Sequence, residues 1–339
     1  MHVTLRGYDD MSKLPMKNNL GFFEIRLESI GGLGANLAGK MLAEAGVMGL
    51  GLNGSNFSSY GSEKKGTPVK SFVRFCDPDT EIRDHSPIER PHVIGVFHEA
   101  LYKTVDVVNG LEQGGIVLVN TTRDFSTVQE ELQIDHGIIA LVDAMGIAVD
   151  EKTKVNTAML GALFRICSFL NPDAMRAVIR KTFERKYPHL VEPNIRTFDR
   201  GYNEVKFLTY TAPVGSAAKP FVRPVPQLGY LTQPIGGTIT NPGSSIRKDL
   251  SGSRQGYIPA LNLNACIHCA ACDTVCPDLC FVWERGVDSR NKPNMFLKGI
   301  DYQYCKGCLK CVEACPTDAL SVKREDESYV NEQRVPHEF

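Results

Sequence analysis

Eight of the eleven cysteines in this 339-residue chain fall into two runs, CIHCAACDTVCP from Cys266 to Pro277 and CKGCLKCVEACP from Cys305 to Pro316. A shift of 39 residues lays Cys266 on Cys305, Cys269 on Cys308, Cys272 on Cys311 and Cys276 on Cys315, with a proline after the fourth cysteine in both copies. The segment is therefore a duplicated unit. Thiolates spaced C-x-x-C-x-x-C-x-x-x-C-P suit iron–sulfur chemistry: three close thiolates grip three irons of a [4Fe-4S] cube, and the fourth cysteine ligates the neighbouring cube. Two-residue gaps let a looped backbone wrap one cube and aim its amides at the sulfides, while the fourth cysteine is expected to begin a short helix crossing to the partner site. The spacing thus predicts one cluster on Cys266, Cys269, Cys272 and Cys315 and a second on Cys305, Cys308, Cys311 and Cys276. Four cysteines per site could also hold structural zinc, but zinc sites usually pair two C-x-x-C knuckles across a longer gap and do not account for the tripled step or the Cys-Pro dipeptides.

The other three cysteines read differently. Cys280 aligns by the same shift with Ala319, so its position calls for a small apolar side chain and a buried free thiol is expected. Cys76 and Cys167 sit in apolar strand and helix patterns and are expected to be buried as well. His268, aligned with Gly307, is expected to be an exposed loop residue. Trp283 and the stretch FLKGIDYQY are expected to form a short strand pair over the clusters, limiting water access and so influencing potential.

A second stretch that could do chemistry is IGGLGANLAGKM, from Ile30 to Met41. The dinucleotide fingerprint needs glycines at relative positions one, three and six, and from Gly32 the third falls on Leu37. The P-loop pattern fits Gly34 to Lys40, but Met41 stands where a magnesium-binding Ser or Thr belongs, and Lys40 falls a turn or more inside the helix. Nucleotide hydrolysis is excluded on these grounds. The turn of Gly31, Gly32 and Gly34 can serve as a tight strand-to-helix connection, or its free amides can receive an anion or a partner carboxylate.

These residues need a scaffold. FFEIRLE (22–28) alternates as a half-buried strand does and runs into the glycine turn; Leu37, Met41, Leu42 and Ala45 then share one helical face. VKSFVRF (69–75), HVIGVF (92–97), GIVLVN (115–120) and GIIALVD (137–143) read as further strands. They alternate with helix-length segments, the pattern of an α/β layer fold, Rossmann-like, with a mostly parallel sheet. TAMLGALFRICSFL and DAMRAVIRKTFERKY read as two helices broken at Asn171-Pro172. Residues 209–260 hold seven prolines and seven glycines, which reads as an extended arm lying on another surface through Phe221, Tyr230, Ile235, Ile239 and Ile246. The expected organisation is an N-terminal extension (1–20), an α/β domain (21–208), the linker arm (209–260), an α+β ferredoxin-type domain (261–325) and a C-terminal tail (326–339).

Composition is that of an ordinary globular protein, 42% hydrophobic and 23% charged. Thirty-eight basic and thirty-nine acidic residues give a net charge of -1, which offers no footprint for nucleic acid. The N-terminus lacks an apolar signal region, and no stretch approaches the ~18 apolar residues of a membrane span, so a cytoplasmic protein is expected. Short C-x-x-C steps in such a chain point to metal or redox sites rather than disulfides.

IGGLGA, SSYGSEKKGTPVKSFVRF, GGIVLVN, VNTAMLGAL and EPNIRTFDRGY together resemble the gamma domain of the 2-oxoacid:ferredoxin oxidoreductases, and the C-terminal part resembles the delta, ferredoxin-like subunit of the same enzymes. The order from about 22 to 325 is that of a gamma–delta fusion. Leu33 replaces the family's glutamine in G-G-Q-G, and Ser62 replaces the proline of its S-[FY]-G-P-E loop. No thiamine diphosphate, flavin or nicotinamide signature is present in this chain, so an electron source must lie on another. The resemblance implies that source: alpha and beta subunits carrying thiamine diphosphate, Mg2+ and a third [4Fe-4S] cluster, in a dimer of heterotrimers. It also implies oxidative decarboxylation of a 2-oxoacid, electron delivery to soluble ferredoxin and, in the usual form, acyl transfer to coenzyme A. Tyr60, Gly61, Glu63, Lys64, Lys65 and Gly66, with the glycine turn, become candidate partner or coenzyme contacts. The G-x-P-V form of the loop leans toward pyruvate; oxalate, which needs no coenzyme A, is the other candidate. A stand-alone electron-transfer adaptor with a ligand-sensing α/β domain is the reading from a different class.

Overall fold

A computed structural model of the chain describes residues 13–61, 67–103, 105–134, 136–211, 232–237, 249–254 and 256–338. The chain divides into two compact units, Met1–Val222 and Arg223–Phe339. In the first, β1 (Phe23–Ile30) leads through the glycine turn into α1 (Ala35–Leu50), then β2 (Asn53–Tyr60), β3 (Pro68–Cys76), β4 (Val93–Val96), β5 (Ile116–Asn120), α2 (Phe125–Leu132), β6 (Gly137–Val142), α3 (Ala144–Asp150), α4 (Val155–Ile166), α5 (Pro172–Phe183), α6 (Val191–Glu204) and β7 (Lys206–Tyr210). These strands form one seven-stranded sheet in the order β2-β3-β1-β4-β5-β6-β7. The central four, β1, β4, β5 and β6, run parallel. β3 and β2 add antiparallel on one side and β7 on the other.

The alternating pattern of β1 predicts burial on one face, yet all eight of its positions are buried. The polar face is covered by the chain after β3. Arg26 donates to the carbonyls of Ile88, Val107 and Asn109 and pairs with Glu28 at 2.8 Å, while Arg74 pairs with Glu24 at 2.6 Å and donates to the carbonyls of Asp84 and Ser86. Buried charges are tolerable only when paired and hydrogen-bonded in this way. On the opposite face α1 packs through Ala38, Met41, Leu42 and Ala45, but Leu37 is exposed, because the buried stripe runs through Ala38 rather than its neighbour. β2 has no apolar pattern and its residues are only partly buried; it is held by the backbone ladder to β3 and by the Asn56 amide donating to Ser71 Oγ and the Phe72 carbonyl.

Asn171 caps α5 by accepting the Asp173 N–H, with Pro172 in the first turn, which separates the two helices as the Asn-Pro pair predicts. α4 and α6 cross with almost no space between backbones. A Cβ at Gly161 would lie 2.0 Å from the Phe198 carbonyl oxygen, and one at Gly201 would lie 2.1 Å from that of Ala158.

The second unit contains β8 (Tyr257–Leu261), α7 (Ala271–Val275), β9 (Phe281–Val287), β10 (Pro293–Ile300), α8 (Lys310–Glu313), β11 (Leu320–Arg324) and α9 (Glu327–Gln333). The 39-residue shift carries β8, α7 and β9 onto β10, α8 and β11. Pairing is exchanged between the copies: β8 pairs with β11 and β9 with β10, both antiparallel. The unit has its own core, built on Ile258, Phe281, Leu297, Ile300, Tyr302 and Leu320 together with buried cysteines. Residues 326–338 are tied to it, with the Val335 N–H donating to the Ile300 carbonyl and Arg334 pairing with Asp301 at 2.7 Å. Most of the expected arm, including Phe221, Tyr230, Ile239 and Ile246, lies outside the described residues; Ile235 is fully exposed and makes no such apolar contact.

Candidate metal centres

The two cysteine runs fold alike because their backbones repeat residue for residue. Left-handed conformations occur at His268 and Gly307, at Ala270 and Leu309, and at Leu279 and Asp318, each pair 39 residues apart. Ala270 (φ 61°, ψ 10°) and Leu309 (φ 60°, ψ 8°) immediately precede α7 and α8. Alternation of left- and right-handed residues turns successive amides toward one side, the geometry of an anion-holding nest. The third cysteine of each run, Cys272 or Cys311, lies inside the short helix. The fourth follows the helix rather than beginning it: Cys276 is extended after α7, since a residue before proline is pushed out of the helical region.

Two hollows result. One, of about 350 Å³, is rimmed by Cys276, Cys305, Cys308 and Cys311 against Phe281 and Ile300, with Cys280 also in its wall. The other, of about 330 Å³, is rimmed by Cys266, Cys269, Cys272 and Cys315 against Trp283, Leu297 and Leu320. Each set takes three cysteines from one run and one from the other. Cys272, Cys305 and Cys311 are buried, whereas Cys269 and Cys308 are exposed, so each hollow has an inner wall and an edge toward solvent.

The chemistry of the donors fits a metal–sulfur group. Burial pushes the Cys272 thiol up to about 11 and the Cys311 thiol up to about 12, so positive charge is needed to hold them as thiolates. Hydrogen bonding from Cys280 brings the Cys276 thiol down to about 6. The His268 N–H donates to Cys266 Sγ and the Cys280 N–H to Cys276 Sγ, each at 3.4 Å. Trp283, in the wall of the second hollow, keeps a buried indole N–H with no partner among the described residues, a donor ready for a sulfur atom. Among the described residues no three His, Cys, Asp or Glu side chains converge on one ion's position; the sulfurs surround space for a multi-atom group.

Cys76 and Cys167 are buried thiols raised by burial, Cys167 to about 12. Cys280 is buried too, between Cys276 and Cys305, and its thiol is driven up by hydrogen bonding to both. His268 is not an exposed loop residue. Its Nδ1 accepts the Leu297 N–H at 3.0 Å and its ring packs edge-on against Phe296, pinning the first run to β10. Trp283 stands opposite Leu297 in the β9–β10 pair.

Sequence reasoning missed Arg254. Its guanidinium is buried and donates through Nε to the Cys305 carbonyl at 2.9 Å and through Nη2 to that of Tyr302, while Nη1 pairs with Glu325 at 2.6 Å. An isolated arginine in a Gly/Pro-rich stretch carries no local signal of such a role.

In the first unit the glycine turn is built as a connection. Gly34 caps α1 at φ 82°, and Gly31 donates its N–H to the Thr67 carbonyl. Leu33 is buried in the core, Gly32 is exposed, and Lys40 is exposed on the helix. Tyr60 is exposed at the end of β2, its hydroxyl accepting from Asn36, and Gly61 is exposed beside it. The structure thus brings Tyr60 to the start of α1, next to the turn. Glu63, Lys64, Lys65 and Gly66, with Ser62, lie outside the described residues.

A mostly parallel α/β sheet followed by a duplicated cysteine unit defines a redox protein of the iron–sulfur class, and residues 299–321 match the 4Fe-4S binding domain. Residues 24–204 match the family described as pyruvate ferredoxin/flavodoxin oxidoreductase, and the chain belongs to that family. It is a gamma-type chain with a ferredoxin-like region near its C-terminal end. It is 39% identical over 188 residues to pyruvate synthase subunit PorC of Thermotoga maritima, covering 55% of this chain and 95% of that one. It is 36% identical over 183 residues to the gamma subunit common to pyruvate and ketoisovalerate oxidoreductases of Thermococcus kodakarensis, covering 53% and 96%. The crystal structure of the Thermotoga maritima pyruvate oxidoreductase subunit PORC aligns over 55% of this chain and 98% of that one, with 36% identity and a TM-score of 0.49.

Proposed function

We propose that this chain is the electron-transfer, fused gamma–delta subunit of a thiamine diphosphate-dependent 2-oxoacid:ferredoxin oxidoreductase. The observation that carries the reading is the sorting of eight cysteines into two hollows, each rimmed by a crossed quartet. Cys266, Cys269, Cys272 and Cys315 would hold one [4Fe-4S] cluster, and Cys276, Cys305, Cys308 and Cys311 the other. When bound, the two clusters supply one-electron acceptor and donor sites. The chain's own residues fix the thiolates on left-handed turns, wall the inner side of each hollow with Phe281, Ile300, Trp283 and Leu297, and leave Cys269 and Cys308 at the surface where electrons can enter or leave.

Decarboxylation belongs to partner alpha and beta subunits that bind thiamine diphosphate, Mg2+ and a third cluster, in a dimer of heterotrimers, with soluble ferredoxin as the outgoing partner and coenzyme A as acyl acceptor. Gly31, Gly32, Gly34, Tyr60, Gly61, Glu63, Lys64, Lys65 and Gly66 are the proposed partner or coenzyme surface; the exposure of Gly32, Tyr60 and Gly61, with Tyr60 bonded to Asn36 at the start of α1, supports this. Pyruvate is the favoured 2-oxoacid, supported by the names of the PorC relatives. Oxalate is a second reading, favoured by Leu33, whose buried apolar side chain offers no polar contact where the family has glutamine. No helix among the described residues is long and apolar enough to cross a membrane, and we place the complex in the cytoplasm. The α/β domain is proposed to begin near residue 21 and the ferredoxin-type domain to include β8.

Purification of the native complex under anaerobic conditions tests the assignment. Pyruvate with coenzyme A is expected to bleach the visible iron–sulfur absorbance. Bleaching by oxalate without coenzyme A selects the second reading, and a stable lone monomer that no 2-oxoacid plus alpha–beta subunits can reduce overturns both in favour of an adaptor.

A further inference from the structure

The two hollows are alike in sulfur and unlike in charge. Among the described residues, no charged side chain lines the one rimmed by Cys266, Cys269, Cys272 and Cys315. The other is lined by Asp278, Lys306 and Lys310. Asp278 and Lys306 pair at 2.7 Å and largely cancel, so Lys310 adds a net positive charge to that wall among the described residues. Behind the same wall lies Arg254, 3% exposed, bonded to the backbone carbonyl of the ligand residue Cys305. Its counter-charge, Glu325, has a side chain 30% open to solvent, so water screens the carboxylate far more than the guanidinium. The 39-residue repeat does not reproduce the cation. Arg254 aligns with Pro293, which carries no charge, so the repeat supplies no cation at the equivalent position.

A cube passing from its 2+ to its 1+ state gains one negative charge, with no bond made or broken. A guanidinium cannot shed its proton in a protein, and in a low-dielectric wall its field is weakly screened. A fixed cation there stabilises the reduced state of the nearer cube, and net charge is one of the terms that sets iron–sulfur potentials.

We propose that Arg254 sets the order in which the two centres are reduced: it makes the cluster on Cys276, Cys305, Cys308 and Cys311 the higher-potential one, where an electron on this chain comes to rest. The inference rests on the proposed assignment of both quartets as [4Fe-4S] sites. Arg254 acts here as a positioning and field-setting residue rather than as a ligand.

The test is an EPR-monitored redox titration of the full chain, anaerobically reconstituted, with a low-potential one-electron donor such as titanium(III) citrate. Wild type, R254Q, R254K and E325Q are compared, with iron measured in each. R254Q is expected to lower the reduced-to-oxidised ratio of the higher-potential cluster at fixed potential about tenfold, equivalent to about 59 mV for one electron, with the other cluster moving much less. R254K, which keeps the charge, should recover most of that shift, and E325Q should move the same midpoint upward. Two full clusters in every variant with midpoints unmoved, or both moved equally, overturn the inference while the functional assignment stands. If R254Q loses one cluster, E325Q decides alone, and no upward shift overturns the proposal. A wild-type chain that takes up no pair of four-iron clusters defeats the functional assignment itself, and this inference with it.

Discussion

Crossed ligation makes a prediction that separates it from any arrangement in which each run holds its own cluster. The structure puts Cys276 in the hollow of Cys305, Cys308 and Cys311, and Cys315 in that of Cys266, Cys269 and Cys272. Two double variants remove the same number of sulfurs. C276A/C305A strikes one crossed quartet twice and leaves the other complete, whereas C315A/C305A takes one ligand from each. Wild type should carry about eight irons in two four-iron clusters. C276A/C305A should retain about four irons in one fully ligated cluster with a cubane EPR signal after reduction, and C315A/C305A should retain no fully ligated cluster. Self-contained runs give the reverse, because C315A/C305A would then leave Cys266, Cys269, Cys272 and Cys276 intact. Iron analysis with EPR on anaerobically prepared full chain reads the difference, and an intact cluster in C315A/C305A together with none in C276A/C305A refutes the crossed assignment. C280A serves as the control: as a buried thiol outside both quartets, Cys280 can be lost with about eight irons kept.

Two further outcomes concern the α/β unit. His92 is buried against Phe23 and its Nδ1 accepts the Glu24 N–H at 2.9 Å; burial pushes its pKa down to about 4. The unfolded imidazole takes up a proton near pH 6.5 and the folded one only near 4, so the stability it contributes is full above about 6.5 and is lost as pH falls toward 4, by roughly 3 kcal/mol. Urea titrations at pH 7.5 and 4.5 should show H92Q losing less stability between the two than wild type; equal losses would remove the assignment. At the α4–α6 crossing, G161A and G201A each force a methyl onto a backbone carbonyl 2.0–2.1 Å away. Each should cost about 1–3 kcal/mol or more and lower the melting temperature by roughly 2–4 °C per kcal/mol; unchanged melting would mean that the helices separate freely.

What could be read from the sequence depended on how far apart the interacting residues lie. The cysteine runs are local, and their spacing and 39-residue repetition are read from the sequence alone; the exchanged role of the fourth cysteine is an expectation from the C-x-x-C-x-x-C-x-x-x-C-P pattern, and the hollows agree with it. β4, β5 and β6 were equally legible because buried parallel strands read as continuous apolar runs. β2 was not: NGSNFSSY sits at the sheet edge, half-buried and held by its backbone ladder, so its side chains carry no period. β8 escaped because it lies in a Pro/Gly-rich stretch and includes Pro259, which its two-stranded pairing with β11 tolerates. His268 and Arg254 were invisible for another reason. Their partners, the Leu297 N–H and the Cys305 and Tyr302 carbonyls, lie 29 to 51 residues away, and they are backbone groups, which no side-chain pattern announces.

The left-handed turns around the hollows also link the small unit's fold to the group its thiolates would hold. Five non-glycine residues of the repeat, His268, Ala270, Leu279, Leu309 and Asp318, have positive φ. Such a conformation costs about 1–2 kcal/mol per L-residue, so the five together are comparable with the roughly 5–15 kcal/mol that stabilises a whole domain. Against this the unit has a core of modest size, into which buried cysteines are themselves built. Metal–thiolate bonding supplies folding free energy in sites of this kind, and here it would offset the strained turns and the burial of Cys272 and Cys311 at once. The α/β unit stands on a separate core running from Leu14 to Val205 that contains none of the eight cysteines. Removing iron should therefore melt β8 to α9 while leaving the seven-stranded sheet folded, so that the redox half of the chain is present only when it can carry an electron.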